Sequence, residues 1–260
     1  MLLANCSDDM DDNNDGEDPG AVYPPVENNP ANTNYAPAFA GQTRINAVRT
    51  TTPFKTTVLT SALSAPWGIT GLPDGRLLIT QKSGTMRIVT PTGTVGNPIT
   101  GIPAVNSSGQ GGLLGLCLDP QFLTNRMVYW VFTENVSGGT QTSVAKGRLS
   151  DSETVIENAV VIYRANPASA AGNLHYGGRI LFDATGHLMV STGERSDLST
   201  RPFAQSVGSA IGKILRITKN GQPAPGNPTF SQSGALPELY SIGHRNPQGM
   251  AIHPTTGDLY

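Results

Sequence analysis

The sequence predicts an all-β protein assembled from repeated blades of a β-propeller, and three observations carry that expectation. The first is composition: 30 Gly and 20 Pro among 260 residues, only 14% charged, with a mean hydropathy of −0.20. Gly and Pro break helices and mark turns. The polarity then rests on Ser, Thr, Asn, Gln and Gly, the chemistry of short strands joined by tight turns. The second is a repeated unit of Gly, an apolar strand, a turn rich in Asp, Pro and Gly, and a second apolar strand. The third is the spacing at which that unit returns.

The unit occurs four times: Gly68-ITGLPDG-Arg76-LLIT, Gly112-LLGLCLDPQFLTN-Arg126-MVYWVF, Gly178-RILFDATG-His187-LMVST and Gly249-MAIHPTTG-Asp258-LY. Its turn residues Gly75, Asn125, Gly186 and Gly257 fall 50, 61 and 71 positions apart. Each interval leaves room for two further strands behind the hairpin, as in four-stranded blades with loops of variable length. A β-sandwich also shows short strands and turn signals, but it does not require one unit to recur. Residues 54–260 are therefore expected to form a partial propeller of about three and a half to four blades.

Residues 1–53 read as a separate leader. Seven acids fall between Asp8 and Asp18, Glu27 follows, and the first base is Arg44. From Arg44 onward 17 bases face 11 acids, a net of +6. The acidic, aromatic-poor start reads as a solvated spacer, and residues 19–53, rich in Pro, Asn, Ala and Thr, read as a linker. Leu2-Leu3-Ala4-Asn5-Cys6 resembles the end of a bacterial lipoprotein signal with Cys6 as the lipidated residue. Ser7-Asp8-Asp9 resembles the surface-export signals of Bacteroidetes lipoproteins. Asn5 is larger than the usual small residue, and the basic and hydrophobic regions of such signals are missing upstream. The competing reading is a cytosolic leader with a chance Cys. The lipoprotein reading places the protein in the periplasm or at the cell surface, as an outer-membrane lipoprotein touching the membrane only through its anchor.

Other classes are excluded more simply. No run approaches the roughly 18 apolar residues of a membrane span. Lys and Arg form no run, so nucleic acid is not an expected partner. The only other thiol, Cys117 in LLGLCLD, reads as buried and inert, which leaves neither a disulfide framework nor a Cys-based zinc site in the folded part.

Three loop motifs are more polar than structure alone requires. Asn106-SSG-Gln110-GG precedes an apolar strand; its glycines permit close backbone approach to a ligand, and Gln110 offers a donor and an acceptor. By itself this is also a plain Gly-rich turn. His175-YGGR stands before ILF, with Ser191-TG-Glu194-Arg195 one hairpin later. If His175 ends one strand and Glu194 its neighbour, both project from the same rim. A carboxylate that orients an imidazole and stabilises its protonated form makes a general base, although a lone His is more often structural. Ser241-IG-His244-Arg245-Asn246-PQG presents a guanidinium and an amide at fixed angles, suited to a planar, oxygen-rich anion or a developing oxyanion. The bland alternative is an Arg that pins a loop. His244 reads as structural, His187 and His253 as exposed turn residues, and their spacing gives no case for a zinc or iron site.

In order, PWGITGLPDGRLLIT, GQGGLLGLCLDPQF, HYGGRILFDATG, STGER, IGKILRI and SIGHRNPQGMAIHPTTGDLY resemble the PQQ-dependent glucose/sorbosone (aldose sugar) dehydrogenases, from about Ala65 to Tyr260. The resemblance implies a six-bladed propeller with PQQ over the channel and Ca²⁺ holding it. It implies His175 as the base that takes the anomeric hydroxyl proton, and Arg245 as the cation that stabilises charge on the quinone. Gln110 and Asn246 take PQQ-binding places. Gln110 and Gln205 fall on the substrate side. Glu194 stands where the family has an aspartate that orients the histidine. The family's calcium loop falls beyond Tyr260, so no metal ligand is expected within this chain. The implied partners are a small sugar and an external electron acceptor. Two alternatives remain: a non-catalytic propeller that binds glycans or proteins, and a calcium-dependent lactonase.

Overall fold

The structure, a computed structural model, describes Ala36 and residues 52–260; the acidic leader, Cys6 and nearly all of the linker lie outside the described residues. The chain divides into two units, Met1–Thr57 and Val58–Tyr260. The second holds three antiparallel sheets, each formed by strands consecutive in the chain. The first comprises β1 (Pro66–Gly71), β2 (Leu77–Gln81) and β3 (Thr85–Val89). The next comprises β4 (Leu113–Leu118), β5 (Met127–Val136), β6 (Gly139–Leu149) and β7 (Ile156–Arg164). The third comprises β8 (Ile180–Phe182), β9 (Leu188–Ser191), β10 (Lys213–Ile217) and β11 (Leu239–Ile242). The fourth expected hairpin contributes one antiparallel bridge, Ile252 with Leu259.

The middle sheet shows why its sequence reads as an unbroken apolar run. Alternate residues of β5 point to opposite faces. Val128, Trp130 and Phe132 join Leu78, Met86 and Leu113 on the side of the first sheet. Tyr129 and Val131 join Leu114, Ile180 and Val190 on the side of the third. Both faces are buried, so alternation with polar residues is lost, and each buried large side chain stabilises the stack by about 2 kcal/mol. Three glycines of the repeat, Gly68, Gly112 and Gly178, have a packing reason, whereas a Cβ on Gly249 would meet nothing within 4 Å. β1, β4 and β8 stand side by side, and a Cβ on Gly68 would lie 2.6 Å from the carbonyl oxygen of Leu114. A Cβ on Gly178 would lie 2.6 Å from Cδ1 of the same Leu114.

Turn chemistry sets the two edges apart. The β4–β5 turn holds a single-turn helix, α1 (Phe122–Asn125), closed by Arg126 in the left-handed conformation at φ 52°. On this edge Arg76 grips Glu153 through two hydrogen bonds of 2.6 and 2.8 Å, and Arg126 donates to the same carboxylate at 3.3 Å. The segments entering β4 and β8, and the one leaving β9, emerge at the opposite edge because the hairpins are antiparallel. Those segments carry Gln110, His175 and Glu194.

Candidate active site

His175 lies five residues before β8 and Glu194 three after β9; neither belongs to a strand. The pairing of Ile180 with Val190 nevertheless brings both to the same rim. There Nδ1 of His175 meets Oε1 of Glu194 in a hydrogen-bonded contact. The imidazole is 13% exposed and the carboxylate 3%.

Two amides from distant loops fix the chain around the imidazole. The backbone N–H of His175 donates to Oε1 of Gln110 at 2.9 Å. That of Gly177 donates to Oδ1 of Asn246, also at 2.9 Å. The N–H of Glu194 donates to the Arg245 carbonyl at 2.9 Å, and Ser196 N–H donates to Glu194 Oε1 at 3.0 Å. Glu194 Oε2 is different: it is buried and, among the described residues, has no hydrogen-bond partner. The Nε of Arg201 stands 4.0 Å from it.

The turn stores strain. His175, Arg195 and Ser196 all have positive φ, at 49°, 73° and 60°, a conformation that costs a non-glycine residue about 1–2 kcal/mol. Arg195 supplies what holds it. Its buried guanidinium donates to the carbonyls of Leu174 at 3.1 Å, Thr140 at 3.0 Å and Gly172 at 2.9 Å, and to the Thr140 hydroxyl at 2.8 Å. It also stacks 3.8 Å from the Tyr176 ring centroid. Burial draws this guanidinium below its usual value, partly opposed by Tyr176, yet an arginine keeps its charge under any ordinary condition. Sequence reasoning gave Arg195 no role. Its position directly after Glu194 was visible; the four acceptors come from two other segments, Thr140 on β6 and the loop from Gly172 to Leu174, and were not.

Beside the pair opens a cavity of about 310 Å³ lined by Glu194, Arg201, Ala204, Gly243, His244 and Arg245. Arg245 is exposed at its mouth. Gln205 is exposed too and sits close to Gly243, whose Cβ would lie 3.1 Å from its Nε2. Arg201 and Gln205 are carried by the 3-10 turn Arg201–Ala204 and the residue after it. That turn is anchored by Lys213, fully buried, whose ammonium donates to the carbonyls of Phe203 at 2.6 Å, Ala204 at 2.9 Å and Ile211 at 2.8 Å.

The remaining histidines differ from one another. His244 shares a 2.9 Å hydrogen bond with the Ser241 hydroxyl, and burial, assisted by the Lys213 charge, lowers its proton affinity. His187, expected in an exposed turn, is half-buried; its Nδ1 is 2.7 Å from the Thr185 hydroxyl and 3.1 Å from the Arg216 guanidinium. His253 is exposed. Cys117 is half-buried, and desolvation raises its thiol well above the ordinary value, so little thiolate forms. Among the described residues, no three His, Cys, Asp or Glu side chains cluster as a metal site would require.

The rim thus joins a carboxylate-oriented imidazole, two guanidinium groups and two amides at the end of a bladed β-structure. Residues 63–260 match the glucose/sorbosone dehydrogenase family. The chain belongs to that family. It is 37% identical over 205 residues to the aldose sugar dehydrogenase YliI of Escherichia coli (strain K12), covering 78% of this chain and 54% of that protein. It is similar to a crystal structure of glucose dehydrogenase at 40% identity and a TM-score of 0.73, over 78% of this chain and 58% of the other. The PQQ-bound aldose sugar dehydrogenase of Streptomyces coelicolor is 33% identical with a TM-score of 0.67, over 78% of this chain and 57% of that one. The chain spans about half the length of the curated relatives it matches. Its fold is accordingly that of the dehydrogenase propellers, with partial blades.

Proposed function

We propose that the full-length protein oxidises an aldose at its anomeric carbon to the lactone, with PQQ as the bound oxidant. The observation that carries this reading is the contact between His175 Nδ1 and Glu194 Oε1. With Nδ1 held by a carboxylate, the neutral imidazole keeps its proton there and presents the Nε2 lone pair as the base. Nε2 takes the proton of the anomeric hydroxyl, and Glu194 stabilises the imidazolium that results. PQQ, when bound, supplies a quinone carbon that accepts the hydride from the anomeric carbon. The extra methylene of Glu194 does not carry its carboxylate away from His175, which supports the orienting role and weakens the case for a binding-only propeller.

The donor set fits a planar tricarboxylate. Arg245 and Arg201 bring two positive charges to a cavity whose only acidic lining residue is Glu194. Gln110 and Asn246 spend their carbonyl oxygens on His175 and Gly177 and keep their amide N–H groups for a ligand. Arg245 is placed to stabilise charge on a quinone oxygen, and Gln110 with Gln205 to meet sugar hydroxyls. Ca²⁺ as a companion of PQQ, an external electron acceptor, lipidation at Cys6 and a periplasmic or cell-surface location complete the proposal.

The test is reconstitution of the full-length protein with PQQ and Ca²⁺, followed by dye reduction with a panel of aldoses, with and without a chelator. Turnover is expected, and His175→Ala should lower it by about 10³-fold, the scale of a lost general base. Unchanged turnover in His175→Ala overturns the assignment of the base.

A further inference from the structure

The second oxygen of Glu194 poses a physical problem that the base assignment leaves open. A buried carboxylate oxygen without a donor bears its desolvation uncompensated, and Oε2 of Glu194 is such an atom. Its residue is 3% exposed and lines the cavity next to His175. Oε1, by contrast, serves both His175 and the Ser196 N–H.

The charged groups around this carboxylate narrow the candidates to complete it. Arg195 is committed to Leu174, Thr140 and Gly172. Lys213, on β10, has its three donors spent on the carbonyls of Phe203 and Ala204 in the adjoining turn and of Ile211 just before the strand. His244, across the cavity, is hydrogen-bonded to Ser241. Arg245 meets Glu194 through its backbone carbonyl while its side chain is exposed. Asp197, on the same loop, accepts from Ser199. Arg201 remains: its Nε is 4.0 Å from Oε2, and its side chain is 50% exposed. It stands at the start of a 3-10 turn that Lys213 holds in place. At that separation the two form an ion pair without a hydrogen bond.

We propose that Arg201 is a positioning residue for the His175–Glu194 pair: its guanidinium engages Glu194 Oε2, holds the carboxylate as an anion aligned on Nδ1, and limits how strongly His175 retains a proton. This rests on the reading of His175 as the base. The electrostatic sign is fixed. A cation beside the carboxylate offsets part of the attraction that Glu194 exerts on the imidazolium, so removing it makes His175 easier to protonate. For a half-exposed group the effect is moderated by solvent, and about 0.5 pH unit is the expected scale.

The experiment follows the histidine itself. The full-length protein, without added cofactor, is labelled at histidine Cε1 with ¹³C and titrated by NMR, with His175→Gln identifying the signal. In Arg201→Gln the His175 midpoint should rise by about 0.5 pH unit; in Arg201→Glu it should rise further, and in Arg201→Lys it should stay near the wild-type value. Circular dichroism melting checks that each variant is folded, and Arg201→Gln carries the test by itself if Arg201→Glu does not fold. A midpoint unmoved in folded Arg201→Gln overturns the proposal. The two readings fail separately. A protein that shows the shift but no turnover with PQQ contradicts the function alone. A protein with His175-dependent turnover but no shift contradicts the role of Arg201 alone.

Discussion

Gln110 and His175, 65 residues apart in the chain, are joined by a 2.9 Å hydrogen bond from the His175 backbone N–H to the Gln110 side-chain oxygen. Asn246 does the same for Gly177 from the other side. Residues expected to face a cofactor therefore also hold the turn that carries the base, which separates two roles within one amide. Gln110→Leu removes both, and should lower turnover by about tenfold, the scale of one lost hydrogen bond. Gln110→Glu keeps the acceptor for His175 N–H but replaces the amide donor with an anion. It should retain the wild-type melting temperature while PQQ affinity falls. Thermal melting and PQQ titration of the same variant read the two roles apart; equal loss in both would show that they are not separable.

Glu194 should act by its charge and by its reach. Glu194→Gln retains a hydrogen-bonding oxygen near Nδ1 but no longer stabilises the imidazolium, so kcat should fall by about 10²-fold with little change in KM. Glu194→Asp retains the charge and withdraws it by one methylene from His175 and Ser196. Its loss should be smaller, about tenfold. Steady-state kinetics with one aldose distinguishes these outcomes, and a Gln variant as active as the wild type would remove the carboxylate from the mechanism.

Arg195 should matter chiefly to stability. Its guanidinium satisfies three carbonyls and a hydroxyl in buried surroundings, and it braces three residues at positive φ. Arg195→Met fills much of the volume yet leaves those acceptors unpaired, a loss of about 3 kcal/mol. Urea denaturation of the two proteins measures it. A difference below about 1 kcal/mol would mean that the turn holds its conformation without the clamp.

The repeat was legible because its cause is local. Each Gly–strand–turn–strand unit appears as a hairpin edge, as β1–β2, β4–β5 and β8–β9, and turn residues report their own backbone conformation. The fourth unit was read the same way but yields a single bridge between Ile252 and Leu259, since a hairpin without neighbouring strands gains little. His175 and Glu194 could be placed on one rim from hairpin parity alone. The use of Gln110, Asn246 and Arg195 as backbone clamps could not be read, because each joins segments far apart in the chain whose approach is fixed only by the assembled sheets. His187 misled for a similar reason: its turn is local, but Arg216, which covers it, comes from β10.

Lys213 gives the chain a pH dependence whose sign can be worked out. Burial lowers its ammonium from 10.5 to about 8 in the folded state. Between those values the unfolded chain binds a proton that the folded chain has released, so stability rises with pH across that window. Above about 10.5 the gain is complete; as pH falls through about 8 it is lost, and the full cost of burying a cation applies. The three carbonyls that accept from the ammonium favour the charged form and reduce the effect, so the span is at most about 3 kcal/mol. Relative to Lys213→Met, which has no titrating group there, the wild type should gain stability between pH 8 and 10.5 in urea denaturation. Below pH 8 the two should run parallel. Parallel curves throughout would mean that the carbonyl acceptors fully offset desolvation, so that Lys213 holds its proton equally in the folded and unfolded chains.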